Sequence, residues 1–300
     1  MKLDEMRLDC VILNYQDADT AVRLIRQIEG FRVIHRIVAV DNGSRDDSRQ
    51  KLKALEEELP RVKALLLDKN GGYGAGNNAG VRWAVEEDQA THVVIANPDV
   101  SFSEDCLRRL LSMFQRRQEV AAAAASMKDG QYRAQRNGWP LRGYAGELLS
   151  MGPVSRRLFR RFLEYPDWYF KGKRAAYVDA VHGSMLMVDA ERFLQCGGYD
   201  EGIFLYQEEA VLARRLKAAG FRTVLLEDCS YRHDHSVSIS RSYKSSLARQ
   251  RLREESELYY MRHYLFAGPG KELFARLWFW GIRMEIRAAG LFAGLTGSGD

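Results

Sequence analysis

Up to about residue 125, short apolar runs alternate with segments in which apolar residues recur at helical spacing. "LDCVILN" (8–14), "RIVAVDNGS", "VKALLL", "HVVIA" and "VAAAAAS" read as five strands. Between the first two lies "DADTAVRLIRQIEG", with Ala21, Leu24, Ile25 and Ile28 on one side and Gly30 closing the helix. "DDSRQKLKALEEEL", stopped by Pro60, "GNNAGVRWAVEED" and "EDCLRRLLSMFQRR" read as three more helices. Strands alternating with helices of this length predict an α/β fold, a doubly wound, mainly parallel sheet. Ligands of such sheets bind beyond the carboxyl ends of the strands. Four of those ends carry polar clusters: Asn14-Tyr15, Asp41-Asn42-Gly43-Ser44, the loop "DKNGGYGAGNN", and Asn97-Pro98-Asp99. They are expected to converge on one crevice.

The second half is less regular. Residues 127–175 hold "RNGWPLRGY", "RRLFRRFLEYPDWYF" and "KGKR", which read as a mobile basic and aromatic insertion. "AAYVDAVHGSMLMV" predicts one or two strands, "DAERFLQCGG" a short helix, "EEAVLARRLKAAG" a helix capped by Gly220, and "FRTVLLED" a further strand. From about Ser245 the chain is expected to be helical.

With 46% hydrophobic and 28% charged residues, 300 residues make an ordinary globular chain with material for a sizeable core. The four cysteines are scattered without a C-x-x-C pair, which argues against a zinc site or a disulfide framework. The charged start "MKLDEMRLD" does not read as a secretory signal, and no apolar run approaches the ~20 residues of a membrane span. The expected location is therefore cytoplasmic. The net charge of +5 is unevenly spread. Arg214 to Arg287 holds fifteen Lys plus Arg against eight Asp plus Glu, a surface suited to anionic partners or simply a solvated basic face. No module that reads nucleic acid is recognisable.

Gly74-Ala75-Gly76-Asn77-Asn78-Ala79 satisfies G-x-G-x-x-G/A, but not in the context of a dinucleotide site. It follows the third strand at a distance, and no acid closes the next strand. The loop is expected instead to let backbone approach a ligand, with Asn77 and Asn78 opening a helix.

Six segments in order then carry a resemblance: "VILNYQDADTAVRLI", "IVAVDNGSRDDS", "NGGYGAGNNAGVRWA", "VVIANPDV", "VHGSMLMVDAERFLQCGGYDEGIFLYQEEAVLARRLKAAGF" and "YRHDHSVS". Over about residues 8 to 266 the chain resembles family-2 inverting glycosyltransferases of the GT-A fold, most of all bacterial rhamnosyltransferases of cell-surface polysaccharide synthesis. The resemblance implies a catalytic domain over 1–245, with a nucleotide-binding half (1–125) and an acceptor-binding half (126–245). A helical extension (246–300) follows.

It also implies roles. Asn97-Pro98-Asp99 stands where the family has D-x-D, so Asp99 is expected to hold a divalent cation, Mg²⁺ or Mn²⁺, against the donor diphosphate, with Asn97 beside it. One carboxylate suffices where phosphates and water complete the shell. Asn14 and Asp41 match positions lining the nucleotide base, and Asn77 a donor contact. Turn and helix caps give the same residues at the last two. Glu209 takes the place of the base that deprotonates the acceptor hydroxyl, with Glu208 as the other candidate, since acids at a helix start are also favoured by the dipole. His233 and His235 are offered as a metal ligand, and His182-Gly183 as residues on the acceptor side. The donor implied is dTDP-L-rhamnose and the acceptor a glycan or lipid-linked glycan. A transferase using another nucleotide sugar, a UDP-hexose, and a noncatalytic nucleotide-sugar-binding protein are the competing readings.

The tail "KELFARLWFWGIRMEIRAAGLFAGLTG" groups Glu272, Arg276, Arg283 and Arg287 on one face and Leu273, Leu277, Ile282 and Ile286 elsewhere. Two fates fit: peripheral association with the inner face of the cytoplasmic membrane, or packing on the catalytic domain or a second subunit as a homodimer.

Overall fold

The computed structural model of the protein describes residues 6–234 and 246–296. The first half winds as expected: β1 (Leu8–Asn14), α1 (Ala18–Ile28), β2 (Ile34–Asp41), α2 (Ser48–Glu58), β3 (Val62–Leu66), α3 (Tyr73–Glu86) and β4 (His92–Ala96). The two-residue β5 (Val100–Ser101), α4 (Glu104–Arg116) and β6 (Val120–Asp129) follow. Ser103 caps α4, its hydroxyl accepting the Cys106 N–H at 3.2 Å with Glu104 and Asp105 in the first turn.

Residues 130–174, within the stretch read as a basic and aromatic insertion, carry regular structure. They form β7 (Ala134–Gln135), β8 (Gly138–Trp139) and four short helices: α5 (Tyr144–Met151), α6 (Pro153–Leu158), α7 (Arg160–Leu163) and α8 (Asp167–Phe170). The next stretch makes three strands rather than one or two, β9 (Ala175–Val178), β10 (Ala180–Val181) and β11 (Met185–Asp189), then α9 (Ala190–Gln195) and α10 (Glu208–Ala218). The last strand, β12 (Arg222–His233), runs twelve residues, well past the "FRTVLLED" segment. Two helices close the chain, α11 (Ser246–Tyr264) and α12 (Pro269–Thr296).

The main sheet has the order β3-β2-β1-β4-β11-β6-β12-β5. Its left half is parallel, β11 runs antiparallel between β4 and β6, and β6 pairs in parallel with β12. Period-two alternation sorts the core into two layers. Cys10, Ile12, Ile37 and Ala39 face Leu24, Ile25, Ile28, Leu52 and Leu107. Val11, Val38, Val40, Val93 and Ile95 face Val81, Ala84, Phe193, Leu212 and Leu216. Both halves of the chain contribute to each layer, so they share one core. The alanine run of β6 is wholly buried, its small side chains letting cover approach from both sides.

The glycine motif corrects one expectation. Gly74, Gly76 and Gly80 lie inside α3, not in a ligand loop ahead of it. A Cβ on Gly76 would stand 2.4 Å from Leu13 Cδ1, and one on Gly80 2.5 Å from Val11 Cγ1. Gly76 and Gly80 therefore let the helix lie directly on β1, while Gly74 admits Tyr199.

Candidate active site

The carboxyl ends of β1 and β2 sit side by side, with Asn14 opposite Asp41 in the register. The Asn14 amide donates to Asp41 Oδ1 at 3.0 Å, and the Ser44 N–H donates to Asp41 Oδ2 at 3.0 Å. Both residues are buried, so this corner is a rigid polar floor. Asn42, named in the sequence only as part of the polar cluster after β2, ties it to the glycine segment. Its amide donates to Asn70 Oδ1 and to the Gly72 carbonyl, both at 3.0 Å. Asn77 and Asn78 do not open α3, which starts at Tyr73. The Asn77 amide turns back to the Tyr73 carbonyl at 3.0 Å, and Oδ1 stays buried without a hydrogen-bond partner. Asn78 staples α3 to the 199–201 segment, donating to the Tyr199 carbonyl and accepting the Tyr199 N–H.

Asp99 and His233 meet. Although 134 positions separate them in the chain, β5 pairs with the far end of β12, Val100 opposite His233. The Asp99 carboxylate then lies 3.2 Å from His233 Nε2, both side chains nearly buried. Two neighbouring ligands of an octahedral ion at about 2.1 Å would be roughly 3.0 Å apart, so an oxygen and a nitrogen so placed fit a shared divalent cation. Asn97 sits beside them, its N–H donating to the Ser184 carbonyl at 2.8 Å. His235 lies outside the described residues.

The 182–184 turn joins this pair to the second cluster. His182 packs edge-on against His233 with ring centroids 5.5 Å apart. Gly183 donates its N–H to Glu209 Oε1 at 3.1 Å, and its carbonyl accepts the Tyr73 hydroxyl at 2.7 Å. The Ser184 and Tyr231 hydroxyls lie 2.7 Å apart. Tyr73, Ser184 and Tyr231 were missed in the sequence, where nothing distinguishes them from core residues.

The two glutamates at the start of α10 differ in environment. Glu208 is 4% exposed and its Oε1 has no hydrogen-bond partner. Burial first, and the neighbouring Glu209 carboxylate second, push its pKa up to about 8, so it is mostly neutral at pH 7. Glu209 is only partly covered and is aimed by the Gly183 amide. A pKa near 8 suits a base in the abstract, but a base must also reach the proton it takes. On access, the site favours Glu209.

The approach to these glutamates is strained. Tyr206 and Gln207 both adopt left-handed backbone, at φ of 75° and 70°. Helix α11 braces them: Ser256 donates to the Leu205 carbonyl at 2.6 Å, and Gln207 donates to the buried Glu257 carboxyl.

A third group stands at the opposite end of the sheet. Asp9, His35 and Asp88 cluster at the amino ends of β1, β2 and β4, close enough together to hold an ion. Arg7 and Arg36 already engage Asp88, at 3.0 and 2.8 Å. Burial and Asp88 push the Asp9 carboxyl up to about 8. Placed below the sheet, this cluster cannot serve a ligand at the strand ends.

A central sheet whose parallel strands are interrupted by the antiparallel β11 and flanked by short antiparallel strands, with a carboxylate–histidine pair at the strand ends and a carboxylate on the facing helix, defines a glycosyltransferase fold of the GT-A type. The chain belongs to glycosyl transferase family 2, whose family model matches residues 9–173. Among its relatives is the low-salt glycan biosynthesis hexosyltransferase Agl10 of Haloferax volcanii. The two are 26% identical over 211 residues, covering 70% of this chain and 61% of that protein. This chain thus spans about three fifths of that relative's length. The N-acetylglucosaminyl-diphospho-decaprenol L-rhamnosyltransferase of Mycobacterium tuberculosis is 28% identical over 246 residues, covering 71% of this chain and 70% of that one.

Among solved structures, the mannosyltransferase PcManGT of Pyrobaculum calidifontis, in complex with GDP-Man and Mn²⁺, superposes with a TM-score of 0.59 at 14% identity. The match covers 98% of this chain and 76% of that one. GalNAc-T7 with UDP, GalNAc and Mn²⁺ gives 0.61 at 14% identity, over 86% and 48%. These two share the fold.

Proposed function

We propose that the protein is an inverting glycosyltransferase that moves L-rhamnose from dTDP-L-rhamnose to a hydroxyl of a glycan or lipid-linked glycan acceptor. The observation that carries the transferase reading is the meeting of Asp99, His233 and Glu209 around the 182–184 turn. The rhamnose donor rests on the sequence resemblance and on the mycobacterial relative, whose name specifies an L-rhamnosyltransferase acting on a polyprenyl diphosphate-linked sugar.

In this reading Asp99 and His233 would hold Mg²⁺ or Mn²⁺, which would supply positive charge against the departing diphosphate. The relatives' fold is compatible with such an ion, since both solved neighbours above contain Mn²⁺. Asn14 and Asp41 flank the nucleotide base; Asn97 stands near the diphosphate, and Asn77 reaches the donor once its enclosed amide turns. His182 and Gly183 face the acceptor. Glu209 accepts the proton of the acceptor hydroxyl as that oxygen bonds to the anomeric carbon and the nucleoside diphosphate leaves from the opposite face.

Thermal-shift screening with dTDP-, UDP- and GDP-sugars in Mn²⁺ tests the donor. The largest stabilisation is expected with dTDP-L-rhamnose, followed by release of dTDP on adding acceptor. A clear preference for a UDP-hexose overturns the rhamnose assignment and leaves the transferase reading in place.

A further inference from the structure

Helix α12 has a dry face on each side. Ala275, Phe279 and Ile282 are buried against α5 and α11, and the Trp278 indole N–H donates to the Leu148 carbonyl at 2.9 Å. The helix is therefore docked. Its outward side is nevertheless apolar: Leu273 and Leu277 are each 61% exposed and Trp280 60%, with Met284 and Phe274 also open. Stepping 100° per residue, Leu273, Leu277, Trp280 and Met284 form one stripe nearly opposite Ile282 and Ile286. The sequence grouping of Leu273 and Leu277 with those isoleucines is thereby corrected. Arg276 and Arg287 border the stripe, both exposed.

Helix α6 lies along the flank of α12, the Val154 N–H donating to the Glu285 carboxylate at 3.0 Å and Gly152 packing on Ile282. It continues the same chemistry. Val154, Leu158 and Phe162 are exposed, Leu158 at 71% and Phe162 at 73%. Residues 153–162, "PVSRRLFRRF", contain four arginines and no acid. Among the described residues, Arg157 and Arg161 pair with no carboxylate.

We propose that α12 and the α6–α7 segment together form a docking face for an anionic lipid surface, the apolar stripe entering the acyl boundary and the arginines meeting the headgroups. Charge decides for lipid over a second copy of the chain. A twofold self-contact would set Arg157 and Arg161 near their own images, while the nearby Glu164 is already engaged by Arg156 and Arg160 and Glu285 by the Val154 N–H. No helix among the described residues is long and apolar enough to cross a membrane, so the association is peripheral. The inference stands on this surface alone and does not need the donor assignment.

The test is sedimentation of the full chain with vesicles of phosphatidylglycerol and phosphatidylethanolamine, against phosphatidylcholine alone, at low and high salt. Wild type is expected to sediment with the anionic vesicles and to be released by salt. Arg157→Ser with Arg161→Ser should weaken binding by roughly fivefold per arginine removed. Leu277→Ser with Trp280→Ser should weaken it at least as much, and both variants should melt with wild type because the residues are exposed. Wild type that stays in the supernatant, or variants that sediment like wild type, overturn the proposal. So does a wild-type dimer, seen by light scattering, that the Leu277→Ser, Trp280→Ser variant turns into monomer. Transfer to a soluble acceptor is assayed separately, so loss of vesicle binding and failure of the transferase reading are distinguishable.

Discussion

Replacing Glu208 by Gln should make the protein less sensitive to rising pH. The wild-type carboxyl is about 4.5 in its ordinary state and about 8 in the fold, raised by burial and then by Glu209. Such a group binds its proton more tightly folded than unfolded. Its contribution is full below the unfolded value and is lost as pH rises toward the folded one. Between pH 5 and 8 that loss amounts to roughly 3 kcal/mol. Glutamine keeps the shape and cannot ionise, so it removes the loss. The assay is urea unfolding of wild type and Glu208→Gln at both pH values, read as a difference of differences. That form cancels Asp9 and Glu257, which are also raised to about 8 and titrate in both proteins. A second check follows from the cause: in a Glu209→Gln background the effect should shrink, because one source of the shift is gone. Equal pH dependence in wild type and Glu208→Gln would refute a buried neutral Glu208, and with it the argument from access that selects Glu209.

Two further outcomes are expected. Glu209→Gln should keep donor affinity and lower turnover by ~10²–10⁴, while Glu208→Gln stays near wild type; single-turnover transfer with each variant decides, and the reverse pattern moves the base by one residue. Gly80→Ala should cost roughly 1–3 kcal/mol by driving a methyl into Val11 and Val40, whereas Gly30→Ala, with open space around it, should be close to neutral; equal unfolding midpoints would contradict the packing role given to the α3 glycines.

The βα alternation up to β6 was legible because each strand is an apolar run bounded by helices of clear period. The glycine motif was not, since glycines that admit a strand and glycines that admit a phosphate look alike in a single sequence. Asp99 and His233 were legible as residue types at strand ends, but their contact depends on a two-residue strand, β5, and on a β12 whose register shifts between Leu226 and Ser230. No periodicity marks either. The choice between Glu208 and Glu209 turned on burial, which spacing could not supply. The tail was read as a helix correctly, yet its apolar residues split between two opposite faces, one packed on α5 and α11 and the other exposed, a division that the grouping by spacing did not show.

The central claim is that Asp99 and His233 hold a divalent cation against a nucleotide-sugar diphosphate. Isothermal titration of dTDP-L-rhamnose into wild type, Asp99→Ala and His233→Ala, each in Mn²⁺ and in EDTA, tests it most directly. Wild type should bind well only in Mn²⁺, and both variants should bind weakly in either buffer while keeping the wild-type melting temperature. Equal wild-type affinity in Mn²⁺ and EDTA, or variants that retain the full Mn²⁺ effect, would contradict it.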